Sequence, residues 1–194
     1  MNRLKKYEMK KRIRDNRGFS LVELIVVIAI LSVIAGVSVS MLGVVPKARV
    51  NSCAKKLVSQ LEKTRTNSLS FKDASLYLYR DADGIYADLV IDKGGASPVT
   101  LTERIGDKEL TVKYTLADGT VGGTTYELGN VSDGGAKLIL SFNRSSGAFK
   151  YPSIMDGTGL GPTEQTVYCN KITISYGSRV REIKLIPLTG KIEE

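Results

Sequence analysis

"RGFSLVELIVVIAIL", residues 17–31, sets one carboxylate five residues into an otherwise apolar run. Glu23 is the only charge between Arg17 and Lys47. Beyond it, Leu24 to Val45 reads "LIVVIAILSVIAGVSVSMLGVV", without a charge or a proline. As a helix these residues rise roughly 33 Å, enough for a hydrocarbon core of about 30 Å. A secretory signal has a shorter apolar region and a small-residue cleavage site behind it. Here Gly43 and Pro46 lead straight into another helical pattern. The stretch therefore predicts one membrane span rather than a removable signal.

What precedes it fixes the orientation. Arg3, Lys5, Lys6, Lys10, Lys11, Arg12, Arg14 and Arg17 stand against Glu8 and Asp15, so residues 1–18 hold +6 of the chain's formal +8. The positive-inside rule puts this end in the cytoplasm and residues 46–194 outside it. The rest of the chain is close to neutral, so a general polyanion-binding reading loses its main support.

A buried or membrane-embedded carboxylate asks for a partner. The bland account is that Glu23 reaches back to the headgroups. The sharper one is that a cut between Gly18 and Phe19 frees a positive α-amino group at the same depth, where a neighbouring copy pairs with it. The stretch resembles the leader and N-terminal methylation segment of type IV pilins, type II secretion pseudopilins and competence pilins. The resemblance rests on a basic leader ending in Gly18, then Phe19, Ser20, Leu21, Val22 and Glu23, then about twenty apolar residues. It implies that Gly18 precedes the prepilin peptidase cut, that Phe19 becomes the N-methylated first residue, and that Glu23 is the assembly contact. It implies as partners the prepilin peptidase/methyltransferase, other pilin or pseudopilin subunits, an inner-membrane assembly platform and, before assembly, membrane lipid. A periplasmic or surface filament is the implied destination.

The expected organisation is a leader over 1–18, a membrane and filament-core helix over 19–45, its amphipathic continuation over 46–71, and an extracytoplasmic β domain over 72–194. In the continuation Val50, Cys53 or Ala54, Leu57, Leu61 and Ser68 fall near one face, with Lys55, Lys56, Glu62, Lys63 and Arg65 around the rest. Pro46 is expected to kink this helix or mark a local break. From about residue 72 the period changes to alternation. "ASLYLYR" and "IYADLVID" read as a hairpin turning at Asp83-Gly84, followed by strands in "ELTVKYTL", "TTYELG", "KLILSF", "GAFKY", "KITISY" and "REIKLIPL". The fold class is α+β, an antiparallel sheet packed on the helix. "DKGGASP" and "MDGTGLGPTEQ" read as exposed loops.

A shorter resemblance lies in the last third. "LSFNRSSGAF" and "KITISYGSRVREIKLIPLTGKIEE" look like the end of H-type minor pseudopilins, with Phe142, Gly147, Thr189, Gly190 and Lys191 as the matching positions. It implies a minor subunit.

Cys53 and Cys169 are the only thiols. A disulfide between them would close a loop of about 115 residues and add roughly 4–5 kcal/mol; two buried free thiols are the alternative. Two cysteines without a single histidine argue against zinc. "DADG" at 81–84 lacks the spacing and closing Glu of a calcium loop. No nucleophile–base motif or phosphate-cradling glycine loop occurs, so neither an enzyme nor a cofactor is expected. Two other functions remain open: a DNA-binding or adhesive filament tip, using Arg179, Arg181, Lys184, Lys191 and exposed tyrosines, and an unprocessed single-span membrane protein.

Overall fold

The computed structural model describes residues 20–41, 44–95, 97–117, 123–156 and 161–194. Two compact units divide the chain, Met1–Leu42 and Gly43–Glu194. The described part of the first is helix α1, Leu21–Met41. Its side chains are described from Leu21 to Gly36, and all of these are exposed within the chain.

The second unit opens with helix α2, Val44–Ser70. Helical residues are described up to Met41 and again from Val44, so Pro46 lies two residues into the described part of α2, and the stretch that would show a kink or break falls partly outside the described residues. The 3.6-residue stripe buries Val50, Cys53, Ala54, Leu57 and Leu61, then continues through the polar Thr64 and Ser68. Those hydroxyls are satisfied: Thr64 Oγ1 donates to the Gln60 carbonyl at 2.7 Å and Ser68 Oγ to the Ala74 carbonyl at 3.0 Å. Buried polar groups held this way cost little.

Two antiparallel sheets, rather than one, pack on α2. Among the described residues the first has six strands and the second five. In the first sheet β1 (Asp73–Asp81) and β2 (Gly84–Asp92) form the expected hairpin. Leu76 and Leu78 point into the core, while Tyr79 stacks on Tyr86 at 5.7 Å on the other face. The turn is one residue earlier than the Asp83-Gly84 reading: Asp81 pairs with Gly84 across the loop Ala82-Asp83. Gly84 matters for closeness, since a Cβ there would lie 2.5 Å from the Gly106 carbonyl oxygen.

Beside β2 lies β3 (Val99–Asp107), a nine-residue strand absent from the sequence reading. On the other side β1 pairs with β6 (Lys137–Ser141), then come the short β7 (Ser153–Met155) and β8 (Thr163–Glu164). The "GAFKY" segment is not a strand. It makes one isolated bridge, Phe142 to Phe149, and the pairing strand falls after it. The other sheet contains β4 (Thr111–Ala117), β5 (Thr124–Glu127), β9 (Tyr168–Tyr176), β10 (Arg179–Ile186) and β11 (Lys191–Glu193). Helix α2 touches β1, β2, β3 and β6 of one sheet and β9 and β10 of the other. One apolar core joins the three layers, with Leu57, Leu76, Leu140, Phe142, Ile172 and Ile183 fully buried.

Candidate functional site

Gly18 and Phe19 lie outside the described residues, so the geometry begins one residue later, at Ser20. Ser20 Oγ accepts the N–H of Glu23 at 3.2 Å, and the Ser20 carbonyl accepts the Leu24 N–H at 3.1 Å. Ser20 is thus the N-cap of α1, and Ser-x-x-Glu is half of a capping box. Glu23 stands in the first turn, where the exposed N–H groups of the helix favour a negative charge. This explains Glu23 locally in a way the sequence reading missed, although the Ser20-Leu21-Val22-Glu23 spacing carried the signal. Capping uses the backbone N–H of Glu23 and leaves its carboxylate exposed.

Helix α1 has no polar face to balance its apolar one. Leu21, Ile25, Ile28 and Leu31 on one side are 76%, 57%, 54% and 58% exposed, and Val22, Ile30 and Val33 elsewhere around it are just as open. Ser32 turns its hydroxyl back to the Ile28 carbonyl at 2.7 Å, hiding the only other polar side chain described in the helix. A helix apolar all round is made to be surrounded. Among the described residues no helix is long and apolar enough to cross a membrane. The expected span runs on to Val45, past the side chains described in α1.

At the other end of the chain three of the five positions of the shorter resemblance, Gly147, Thr189 and Gly190, come together around Arg65. The sequence reading had set this residue on the outer face of its helix. Its Nε donates to the Gly147 carbonyl at 3.1 Å and a terminal nitrogen to the Thr189 carbonyl at 3.0 Å. Gly147 and Gly190 both have positive φ, 68° and 65°. A Cβ on Gly190 would fall 1.8 Å from the Gly147 carbonyl oxygen, so two backbones meet where no side chain fits. Phe142 packs on Phe149 at 4.3 Å beneath this junction, and the Phe149 N–H donates to the Pro187 carbonyl at 2.9 Å. The arrangement closes the end of the core with one guanidinium spanning two turns.

The four basic residues near the C-terminus do not form one patch. Lys191 pairs with Glu193 at 2.7 Å. Lys184 lines a cavity with Lys171, and Lys171 in turn pairs with Glu182 at 3.1 Å. Arg179 and Arg181 instead join Lys47 at the start of α2. There, with Val50, Asn51 and Val180, they line a cavity of about 220 Å³. Arg181 Nε donates to Asn51 Oδ1 at 2.9 Å. Nearby Arg49 lies 5.9 Å from the centre of the Tyr176 ring, which holds the β9–β10 turn against the helix. A larger cavity beside it, about 360 Å³, is lined by Arg49, Lys56 and Arg104. Its two guanidinium groups are answered by Asp107 and Glu109 at 3.4–3.9 Å, and Lys56 donates to the Arg104 carbonyl at 3.2 Å.

Both cysteines are buried and free. Cys53 lies under Gly106 in the first sheet, where a Cβ on that glycine would come within 2.9 Å of its sulfur. Cys169, opposite Leu116 in the second sheet, has its sulfur 3.8 Å from the Lys171 carbonyl. The possible disulfide is therefore not formed in this structure. Burial pushes each thiol up to about 12. Among the described residues no three His, Cys, Asp or Glu side chains come together as a metal site.

The prokaryotic N-terminal methylation motif matches residues 13–39. It points to a structural, pilin-type protein processed at its N-terminus and supports a pilin-like family for this chain. Neither the curated proteins nor the solved structures give a match.

Proposed function

We propose that this chain is a minor pilin-like subunit, of the H type, made as a single-span membrane precursor and then built into a pilus or secretion filament. The prepilin peptidase cuts the peptide bond between Gly18 and Phe19, and the new α-amino nitrogen of Phe19 is methylated. That nitrogen stays cationic at neutral pH. Leu24 to Val45 holds the precursor in the bilayer with residues 46–194 outside. On assembly the same surface moves from lipid into a bundle of like helices, exchanging one apolar surround for another.

Glu23 directs that exchange. Surrounded by apolar side chains, its carboxylate is costly until a cation answers it, and a neighbour's N-terminus supplies one. The unanswered charge of one subunit therefore selects the position of the next. The observation that carries this reading is the methylation-motif match over residues 13–39, which takes in Glu23 and most of the largely apolar α1. The Arg65 junction, which draws on Gly147, Thr189 and Gly190, supports the minor-subunit reading. No reaction is assigned to the folded unit; the chemistry is done to the chain.

The test is the intact mass and N-terminal peptide of the membrane-extracted protein from its native host. A chain starting at N-methylated Phe19 is expected. A chain still starting near Met1, in cells with an active prepilin peptidase, overturns the pilin reading and leaves an unprocessed single-span protein.

A further inference from the structure

The Lys47–Arg179–Arg181 cavity differs from its neighbours in its charge. Three cations and the Asn51 amide line it, with Val50 and Val180, and no carboxylate does. Neither Lys47 nor Arg179 makes an ion pair among the described residues. Arg181 spends its Nε on Asn51, which fixes the guanidinium plane and leaves the two terminal nitrogens as donors. Asn51, accepting through Oδ1, keeps its amide hydrogens for another acceptor. Forked guanidinium donors beside a lysine are the chemistry that receives a phosphate oxygen pair.

We infer that this cavity binds the phosphate of membrane lipid headgroups and seats the folded unit on the bilayer surface before assembly. The inference rests on the membrane-anchored reading above. The uncharged stretch ends at Val45, inside the first turn of α2, and Lys47 follows within about 3 Å of helix rise. The cavity thus stands at the height where the hydrocarbon ends. Val180, 55% exposed in β10 opposite Ser175 and between two arginines in sequence, adds an apolar side chain among the cations, the pattern of interfacial segments. A nucleic-acid strand would need a track of cations, but the neighbouring Arg49 is already paired with Asp107 and Glu109. The positive charge is a spot, and a headgroup is a spot-sized ligand.

The experiment uses the full chain reconstituted in vesicles of phosphatidylcholine alone or with added phosphatidylglycerol. A spin label is placed by Ser178→Cys in the β9–β10 turn, or by Arg144→Cys near the Arg65 junction, about 27 Å along α2 from Lys47. The native thiols, buried and holding their protons to high pH, stay unlabelled. A lipid carrying a paramagnetic metal chelate on its headgroup should broaden the label at 178 and not at 144. The broadening should grow with phosphatidylglycerol and disappear in high salt or in Lys47→Glu/Arg179→Glu. Equal broadening at 178 with and without phosphatidylglycerol, unaffected by salt, overturns the inference while the chain still floats with the vesicles. A chain that floats with neither vesicle overturns the membrane reading and this one with it. Restriction of the label at 178 by a single-stranded oligonucleotide, with no response to lipid, overturns it in favour of nucleic-acid phosphate.

Discussion

The two helices of this chain are near neighbours in sequence and opposites in what they ask of their surroundings. Helix α2 is amphipathic: one stripe is buried to 2% exposure or less at Val50, Cys53, Ala54, Leu57 and Leu61, and lysines cover the rest. Everything it needs is supplied by residues 73–194 of the same chain. Helix α1 leaves its large apolar side chains about half to three-quarters exposed on every described side. Nothing polar distinguishes a front from a back except Glu23. A stable domain is built from helices of the first kind. The second kind leaves apolar surface for other molecules to cover; under the proposed function these are lipid and then other copies, with Glu23 as the contact that directs them.

The contrast breaks most directly by making one cut in each helix. Leu57→Ala opens a cavity in the centre of the core and should cost about 4 kcal/mol, read by denaturant unfolding of the full chain in detergent. The near-ultraviolet tyrosine signal is the probe, because eight of the nine tyrosines follow α1. Ile28→Ala removes a similar side chain from α1 and should leave that transition in place. If both substitutions shift it equally, α1 is part of the folded core and the division fails.

Next in size is Arg65→Leu, which keeps the aliphatic bulk and removes two charged donors from the Gly147 and Thr189 carbonyls. Hydrogen bonds to a charged group are worth about 1.5–3 kcal/mol each, discounted here for partial exposure, so a loss of about 2 kcal/mol is expected. Arg65→Lys cannot span two turns and should recover only part of it. Full recovery would show that charge alone, not the fork, closes the domain.

Alkali tests the same core by another route. Both thiols lie near 9.0 when free, and burial pushes them up to about 12 in the folded chain. The folded state therefore holds protons that the unfolded state gives up. Stability from this source is complete below pH 9 and falls as pH rises from there toward 12. The double variant Cys53→Ala/Cys169→Ala should flatten that slope relative to the parent. An unchanged slope would assign the alkaline loss to other groups. If oxidation without denaturant links Cys53 to Cys169, the separate seats under Gly106 and beside Lys171 do not describe the chain in solution.

Much of this was legible before any coordinates. The helical stripe, the Tyr and Leu faces of the first hairpin, and the change from helical to alternating period follow from spacing, because each side chain's neighbours along the element are fixed by local geometry. Strand β3 was not legible. "VTLTERIGD" has Val99 and Leu101 exposed at a sheet edge and Ile105 as its only buried residue, so alternation gave no core face to read. The split into two sheets depends on β6 returning to β1 and β9 to β4, long-range choices with no local signature. The Arg65 junction escaped for a similar reason: its acceptors are backbone carbonyls 82 and 124 residues away.

Ser20 carries the smallest effect and separates two roles that sit side by side. Ser20→Ala removes the oxygen that accepts the Glu23 N–H and should cost the start of α1 about 1 kcal/mol. Amide exchange at Glu23 and Leu24 should speed up by roughly fivefold, since 1.4 kcal/mol is tenfold, while the tyrosine transition stays where it was. Ser20→Asp restores an N-cap acceptor and should bring exchange back, yet it sets a second carboxylate beside Glu23. If pairing Glu23 with a neighbour's amino group drives assembly, Ser20→Ala should assemble with only a small defect and Glu23→Ala should fail. If helix capping is all this turn contributes, the order reverses: Glu23→Ala, whose backbone N–H still meets Ser20, assembles normally, and Ser20→Ala is the weaker variant.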